Sequence, residues 1–482
     1  SQNQYQNIKK KCDKVLGFNP NIYLISNNSL NIIKAHPYHL RNYEFSILQN
    51  CIKLLINFIK FSFEIIISIK NLLKIKRYEE KTTDCLLICN LINIDSIKEK
   101  DYIYGDIEKI LKKKFRVHKL FINQTSINSK KILGFIPDKK KSSIIGFDSP
   151  DLKFNLLSII NLLYYFGIYI IKSILYLDKT YLNIAFGFMD FSSKKNLNLM
   201  KNFSNLLNVI KYKNLIIPYE GYSWERLILM QSYQKNSNIL RCGYNFSAFV
   251  KNQHSLLRRL KKDYEPDIIF TTGDYSKKKF KNFKIPIKSL GSSRYCKSKK
   301  KTVSKMKNIN CIVVPEGIMT ECLTLFTFSI KAALIYPHIN FIWRLHPSMS
   351  FKDVIKNLKV SSVKQLPKNI IISNLKFFED LSRSDIALYR GSTSIISAVQ
   401  YGVFPVYYNN KENLDIDPIY EMKNWKLVVN DLKDFKKFEK KEYLNKMLKS
   451  KNKIRAQKFM KNYFQILKPK ILVSQIIKSI KR

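Results

Sequence analysis

Two series of short apolar runs that alternate with amphipathic segments restrict the fold of this 482-residue chain more than any other feature. In the first series the pattern predicts strands at 84–92, 115–122, 182–188, 215–218, 267–272 and 285–290. In the second series it predicts strands at 311–314, 340–345, 370–372, 385–389 and 403–408. Helical periodicity fills the gaps, as at 152–177, 194–211, 223–232, 321–336 and 394–401. Because strands alternating with helices form parallel sheets with crossover connections, the chain is predicted to be α/β.

The two series divide the chain into five predicted regions. Residues 1–80 form a helical extension, and 81–295 form a first Rossmann-like domain that would bind an acceptor. A basic stretch at 296–308 serves as a linker to a second Rossmann-like domain at 309–430, which would bind a nucleotide. Basic helices follow at 431–482. We expect two doubly wound domains facing a cleft, with ligands bound beyond the carboxyl ends of the strands.

The chain carries 85 Lys and Arg against 36 Asp and Glu, a formal charge of +49. Such a charge favours an anionic partner, which could be nucleic acid, an anionic membrane or a phosphorylated substrate. A genome rich in A·T codons explains part of the excess, since lysine crowds loops without any motif. Hydrophobic residues make up 45% of the chain and aromatic residues 13%, which excludes a disordered polycation.

Cysteine spacing and the polar N-terminus favour a cytoplasmic protein. The eight cysteines contain no C-x-x-C pair, so no zinc site is expected, and the first residues lack the features of a secretory signal. The segment 52–69 is amphipathic, and 154–171 has no charge over 18 residues. We interpret the latter as a buried or interfacial helix, which predicts peripheral rather than integral contact with a membrane.

A carboxylate follows a predicted strand of the first domain and precedes a helix. Glu220 and Gly221 come directly after 215–218, and Glu225 lies in the first helical turn. At a strand end Glu220 could act as a general base, whereas Glu225 fits helix capping or support of Glu220. Glu316 and Gly317 open the second domain with a similar E-G-x-x-x-E pattern, and the helix after Gly317 could offer N–H groups to a phosphate.

Two further strand ends in the second domain carry polar side chains. The strand at 340–345, which contains Arg344, leads into His346 and Pro347, and the histidine could hydrogen-bond a leaving phosphate. The strand at 385–389 leads into a loop of five candidate phosphate-binding residues: Arg390, Gly391, Ser392, Thr393 and Ser394. The chain has no P-loop and no G-x-G-x-x-G motif, and its one D-x-D at 415–417 resembles a polar turn rather than a metal site.

Tyr-Glu-Gly, His-Pro and Ser-Thr-Ser, in that order across two α/β domains, resemble the motifs of GT-B glycosyltransferases that use CMP-activated sugars. Bacterial sialyltransferases, polysialyltransferases and Kdo transferases of capsule and lipopolysaccharide synthesis are the types most similar to this chain. The resemblance implies that Glu220 is the base, that His346 binds the phosphate and that Glu316 contacts the nucleotide. It also implies that the loop 392–394 cradles the phosphate. Tyr219 replaces the first acidic residue of the family motif, which leaves the choice between Glu220 and Glu225 open.

The resemblance therefore implies an inverting, metal-independent transferase. It would move Kdo, sialic acid or a related nonulosonic acid from a CMP donor to a surface-glycan or lipid-linked acceptor. No cofactor or metal is expected besides the nucleotide sugar, and the enzyme would work on the inner face of the cytoplasmic membrane. The His-Pro and Ser/Thr motifs also resemble CDP-glycerol polymerases, which are an alternative. A basic nucleic-acid-binding protein and an inactive glycan-binding scaffold are two others, although no RRM, KH, zinc or helix-turn-helix signature supports specific nucleic-acid binding.

Overall fold

The computed structural model describes most of the chain from residue 81 onward and three earlier segments. The described residues are 14–15, 24–25, 47–71, 81–92, 97, 101–125, 127, 129–136, 138, 140–148, 150–177, 179–251, 256–257, 259–295, 308–346, 349–358, 365–410 and 415–481. The predicted linker at 296–308 therefore lies outside the described residues except for its last residue, and so does Pro347. Lys14–Val15 (β1) and Leu24–Ile25 (β2) pair as short antiparallel strands.

The first sheet contains seven parallel strands in the order β5-β4-β3-β6-β7-β8-β9. Its strands are β3 (Lys81–Leu91), β4 (Val117–Asn123), β5 (Ser142–Ile145), β6 (Ile210–Pro218), β7 (Leu240–Asn245), β8 (Ile268–Thr271) and β9 (Ile287–Ser289). Residues 85–89 of β3 are fully buried, because helices cover both faces of a parallel sheet. The hydrophobic pattern of the sequence does not predict β5 or β7, because both strands contain several polar residues.

The second sheet contains six parallel strands in the order β12-β11-β10-β13-β14-β15. Its strands are β10 (Ile309–Val314), β11 (Ile339–Trp343), β12 (Ile370–Ile372), β13 (Ile386–Tyr389), β14 (Phe404–Tyr408) and β15 (Leu427–Val429). Each sheet begins at an inner strand, extends to one edge and then continues on the other side of its first strand. The predicted α/β class is thus confirmed, and the chain has the paired Rossmann-like sheets of a GT-B architecture.

Helices occupy both sides of the sheets. The helices before and within the first half are α1 (Ile47–Asn71), α2 (Asp106–Lys112), α3 (Ser129–Leu133), α4 (Leu152–Leu175), α5 (Lys179–Phe188), α6 (Phe191–Leu207), α7 (Ser223–Lys235) and α8 (Asp274–Lys279). Those that follow are α9 (Met319–Ile335), α10 (Phe351–Asn357), α11 (Phe377–Arg383), α12 (Ser394–Tyr401), α13 (Lys441–Lys449), α14 (Lys451–Met460) and α15 (Pro469–Ile480). Two 3₁₀ segments, Lys262–Tyr264 and Leu432–Phe438, complete the described elements.

The predicted strand at 182–188 is wrong, because these residues form most of α5. Its uncharged sequence suggested a buried strand, but the buried positions Tyr181, Ile184, Ala185 and Phe188 recur at helical spacing. They pack with Leu162 and Tyr169 of α4 and Phe61 of α1 in a separate small core. An α-helical unit of α1, α4 and α5 therefore stands beside the first sheet.

The C-terminal helices connect the two halves. After α13 and α14, the chain crosses back and α15 buries Leu472 and Ile476 in the core beneath the first sheet. Backbone at Ile466 passes so close to Gly291 that a Cβ there would overlap it, and Gly291 also has a positive φ of 89°. The last helix of the basic tail thus belongs structurally to the first half.

Candidate functional site

The sheet topology brings the predicted loops of the second half together. Strand β10 lies between β11 and β13, so the loops after these three strands are neighbours at one edge of the sheet. These loops carry Glu316, His346 and the segment 390–394. The point between β10 and β13 is where the strand order reverses, which is where open α/β sheets bind ligands. Gly391 lies against the Glu316 carboxylate, and a Cβ on Gly391 would overlap its Oε2.

Burial and a second carboxylate make Glu316 an unusual acid. Burial raises its pKa to about 7, and the Glu321 carboxylate adds to this effect while Arg390 opposes it. Gly317 beside it is exposed. Glu316 follows β10, the first strand of the second sheet in chain order. Glu220 follows β6, which is the fourth strand of the first sheet in chain order. The two E-G-x-x-x-E segments therefore do not occupy equivalent strands, although Glu225 and Glu321 are both the third residue of their helices.

Two arginines predicted to face the nucleotide are paired with carboxylates. The Arg390 guanidinium is buried, forms an ion pair with Glu321 and donates to the Tyr408 carbonyl at 3.3 Å. Arg344 forms an ion pair with the buried Asp380 and donates to the Leu375 carbonyl at 2.6 Å. Because buried charges require partners, these ion pairs let both side chains support their loops. That the two arginines also line a phosphate pocket stays a prediction.

His346 is half-buried at the end of β11, and burial lowers its imidazole pKa. The neutral imidazole is therefore the favoured form at neutral pH, and it would act as a hydrogen-bond donor rather than as a cation. Ser392, Thr393 and Ser394 surround the start of α12, where the Ser394 N–H donates to the Ser392 hydroxyl at 3.4 Å. Hydroxyl groups at a helix start, where the helix dipole favours negative charge, suit an anionic group.

In the first half, Glu225 holds the loop that carries Glu220. Glu225 is buried, and its Oε2 accepts hydrogen bonds from the N–H groups of Glu220 at 2.9 Å, Gly221 at 2.8 Å and Tyr222 at 3.0 Å. Gly221 adopts a positive φ of 80°, which lets the chain turn from β6 into α7. A carboxylate that satisfies three backbone donors is a helix-capping group, so the catalytic alternative for Glu225 is not favoured.

Glu220 is half-buried in this turn. Burial raises its pKa, while the Ser247 and Tyr222 side chains and the positive charge of Arg294 oppose the rise. The negative charge of Glu220 raises the pKa of Tyr222, and the charge of Glu316 in the second half adds to this rise. The Glu220 and Glu316 carboxylates thus both act on Tyr222, one from each half.

Arg294 joins the two halves and was not among the predicted site residues. It follows β9, and its Nη1 lies 3.3 Å from the Thr393 Oγ1 of the second half. The Ser397 hydroxyl donates to its carbonyl at 3.4 Å, and its guanidinium lies 4.5 Å from the centroid of the Phe464 ring. Its charge also lowers the Glu220 pKa. No sequence motif identified the role of this arginine.

No group of three or more His, Cys, Asp or Glu side chains suited to a metal ion is found among the residues that the structure describes. The D-x-D carboxylates have other partners: Asp415 accepts from the Tyr407 hydroxyl at 2.8 Å, and Asp417 from the Tyr389 hydroxyl at 2.9 Å. Lys426 donates to Asp417 at 2.5 Å. These bonds agree with the interpretation of the D-x-D as a structured turn.

Comparison with solved structures returns epimerases and glycosyltransferases of low sequence identity. UDP-GlcNAc 2-epimerase from Methanocaldococcus jannaschii, in complex with UDP-GlcNAc and UDP, is 12% identical, with 82% of this chain and 99% of that chain covered and a TM-score of 0.49. The calicheamicin glycosyltransferase CalG4 is 10% identical, with 83% and 98% covered and a TM-score of 0.45. MurG from Acinetobacter baumannii is 10% identical, with 82% and 99% covered and a TM-score of 0.43. Neither a protein-family model nor a curated protein matches the chain.

Proposed function

We propose that the chain is a glycosyltransferase that moves Kdo, sialic acid or a related nonulosonic acid from a CMP-activated donor to a hydroxyl of a surface glycan. The observation that carries this proposal is the contact of Arg294 with Thr393, beside Glu220. A candidate base from the first half and a candidate phosphate cradle from the second half thus face one interdomain space. A transferase needs this arrangement, because acceptor and donor must be held together for attack.

The second half would bind the donor. The hydroxyls of Ser392, Thr393 and Ser394 and the start of α12 would receive the phosphate, with the neutral His346 imidazole as a further donor. Glu316, whose pKa of about 7 leaves it partly protonated near neutral pH, would hydrogen-bond the nucleotide. The close approach of Gly391 to Glu316 keeps these two loops in register. The choice of CMP rests on the order of the short motifs.

The first half would supply the base. Glu220 would remove the proton of the acceptor hydroxyl while the oxygen of that hydroxyl forms a bond to the anomeric carbon of the donor sugar. The bond from that carbon to the CMP phosphate oxygen breaks, and its electron pair leaves with the phosphate. Because attack and departure occur on opposite faces, the anomeric configuration inverts. Burial raises the Glu220 pKa and so strengthens it as a base, while Arg294 keeps enough of it ionised.

Binding of four nucleotides tests the donor assignment. Thermal unfolding is measured with CMP, CDP, UDP and GDP. A ligand present at 100 times its Kd raises the free energy of unfolding of the folded protein by about 2.7 kcal/mol. We expect stabilisation by cytidine nucleotides, loss of it in Thr393→Val, and no loss in Thr324→Val, a matched change on α9. Stabilisation by UDP alone would overturn the CMP assignment, and stabilisation by none would overturn the transferase proposal. A shift with CDP that exceeds the CMP shift would favour the CDP-glycerol alternative.

Metal independence is tested in the same preparation. Transfer from CMP-Kdo and CMP-sialic acid to a glycan acceptor is followed with and without EDTA. We expect equal turnover in both conditions, because the proposed phosphate contacts come from hydroxyl, imidazole and backbone groups. Loss of turnover in EDTA that Mg²⁺ restores would contradict this part of the proposal.

A further inference from the structure

The outer faces of α1 and α4 expose an unusual number of large apolar side chains. We name them together the apolar face. Its members on α1 are Ile52, Leu55, Ile56, Phe58, Ile59, Phe63 and Ile66. Its members on and just after α4 are Leu156, Leu157, Ile160, Leu163, Tyr164, Ile171, Ile174, Leu175, Tyr176 and Leu177. The two helices pack against each other, and an exposed apolar surface of this extent marks an interaction site.

The polarity of α4 is inverted relative to a helix on the surface of a soluble domain. Asn155 and Ser158 are buried on its inner face at 0% and 5% exposure, together with Leu162 and Tyr169. The Ser158 hydroxyl is satisfied by the Asn155 carbonyl at 2.8 Å. A helix that buries Asn155 and Ser158 while exposing most of its large apolar side chains is suited to a nonpolar surrounding on its outer side.

The attachments of α4 favour a helix that lies on a membrane. Its 24 residues have a mean hydropathy of 1.7 over the most apolar window, enough by length and composition for a span. However, the Tyr169 ring centroid lies 5.4 Å from that of Phe188 of α5, and the chain returns through α6 to the same sheet that it left at β5. A single crossing would place β5 and β6 on opposite sides of the bilayer, although they belong to one sheet. In-plane binding avoids this conflict.

Lysines lie beside the apolar face and specify the charge of the partner. The exposed Lys60 lies 5.5 Å from the centroid of the Phe191 ring, and Lys195 lies 5.0 Å from it. Lys172 lies 5.3 Å from the Tyr169 ring, near the end of α4. Long lysine side chains beside aromatic rings suit the headgroup region, where each basic residue contributes about 1 kcal/mol toward anionic lipids.

We propose that the apolar face docks in the plane of an anionic lipid bilayer. Its apolar side chains would enter the headgroup and acyl boundary by roughly 5–10 Å, with Lys60, Lys172 and Lys195 at the phosphate level. This interaction is independent of the proposed transfer reaction, because the apolar face lies on the helical unit beside the first sheet and not at the interdomain site. A membrane partner thus follows from the distribution of side chains.

Vesicle flotation of the full chain tests the docking. Vesicles of phosphatidylcholine with 30% phosphatidylglycerol, and of phosphatidylcholine alone, are compared for wild type and Ile160→Glu/Ile174→Glu. The matched control is Leu334→Glu/Ile454→Glu, whose side chains are 69% and 68% exposed outside the helical unit, against 59% and 66% for the test pair. We expect the test pair to reduce partitioning by about tenfold per side chain and the control to leave it unchanged. Equal binding of all three proteins would overturn the proposal.

A fluorescence measurement locates the contact itself. Tyr164→Trp places a reporter on the apolar face, and Leu334→Trp places one outside the helical unit. The three native tryptophans, Trp224, Trp343 and Trp425, are buried. We expect brominated lipids to quench the first reporter and not the second. Equal quenching of both reporters, or of neither, would overturn the proposal. A third outcome would also overturn it: without lipid, the wild type is a dimer and Ile160→Glu/Ile174→Glu is a monomer. The apolar face would then join two copies of the chain.

Discussion

Arg294→Met removes the guanidinium that contacts Thr393 and whose charge lowers the pKa of Glu220. Two effects follow from this structure. Without the cation the Glu220 pKa rises, so less of the base is ionised at a given pH and the acid limb of the kcat/KM profile moves to higher pH. The variant also loses a charge-assisted contact at the loop that would cradle the donor phosphate.

The size of the second effect follows from the hydrogen bonds involved. A hydrogen bond to a charged group contributes about 1.5–3 kcal/mol, so its loss lowers kcat/KM by roughly 10- to 100-fold on the plateau. Arg294→Lys keeps the charge but cannot reproduce the planar fork that reaches both Thr393 and the Phe246 carbonyl. It should therefore retain the wild-type acid limb while losing most of the plateau rate.

The assay is steady-state transfer from pH 5 to pH 9, with Arg116→Met as the control. Arg116 is an exposed arginine that pairs with Asp84. Asp84 lies near the amino end of β3, whereas the candidate site lies at the carboxyl ends of the strands. We expect it to leave both the plateau and the acid limb unchanged. An Arg294→Met enzyme with the wild-type acid limb would refute the electrostatic link between Arg294 and Glu220. An unchanged plateau rate would refute its contact with the donor site.

Three further predictions concern the same scaffold. Glu225→Ala leaves three backbone donors without their acceptor and should lower the free energy of unfolding by about 2–4 kcal/mol in urea titrations, whereas unchanged stability would contradict its capping role. Gly391→Ala should clash with Glu316 and weaken nucleotide binding at least about tenfold, whereas Gly167→Ala, which meets no atom within 4 Å, should not. Burial lowers the pKa of His118 to about 4, so its neutral form stabilises the fold above pH 6.5. That contribution, about 3 kcal/mol, should be lost between pH 6.5 and pH 4 and be absent from the pH dependence of unfolding in His118→Gln.

The α/β class and most strand positions were predictable because buried parallel strands form continuous apolar runs. Cys85 to Cys89 and Cys311 to Val314 are such runs, and both are inner strands of their sheets. The strand ends then followed directly, which placed Glu220, Glu316 and His346 at the edges where parallel sheets bind ligands. Strand order was not contained in the local pattern, so which loops would be neighbours came only from the structure.

The partners of the charged residues were not predictable from the sequence. Arg344 and Asp380 are 36 positions apart, and Arg390 and Glu321 are 69 apart. Periodicity describes one element at a time, so it cannot indicate which cation meets which carboxylate across a sheet. For the same reason Arg294 had no recognisable role, since its contact with Thr393 spans 99 positions. The strand assigned to 182–188 failed because an uncharged run of that length fits a buried helix equally well.

The most direct test of the central claim is to measure turnover and CMP binding of Glu220→Gln in one preparation. Glu220 belongs to the first half and is the proposed base, whereas the proposed phosphate contacts come from the loop 392–394 of the second half. We expect turnover to fall by about 10²–10⁴-fold, the usual contribution of a general base, while the Kd for CMP stays within about threefold of the wild-type value. Wild-type turnover in Glu220→Gln would contradict the assignment of Glu220 as the base.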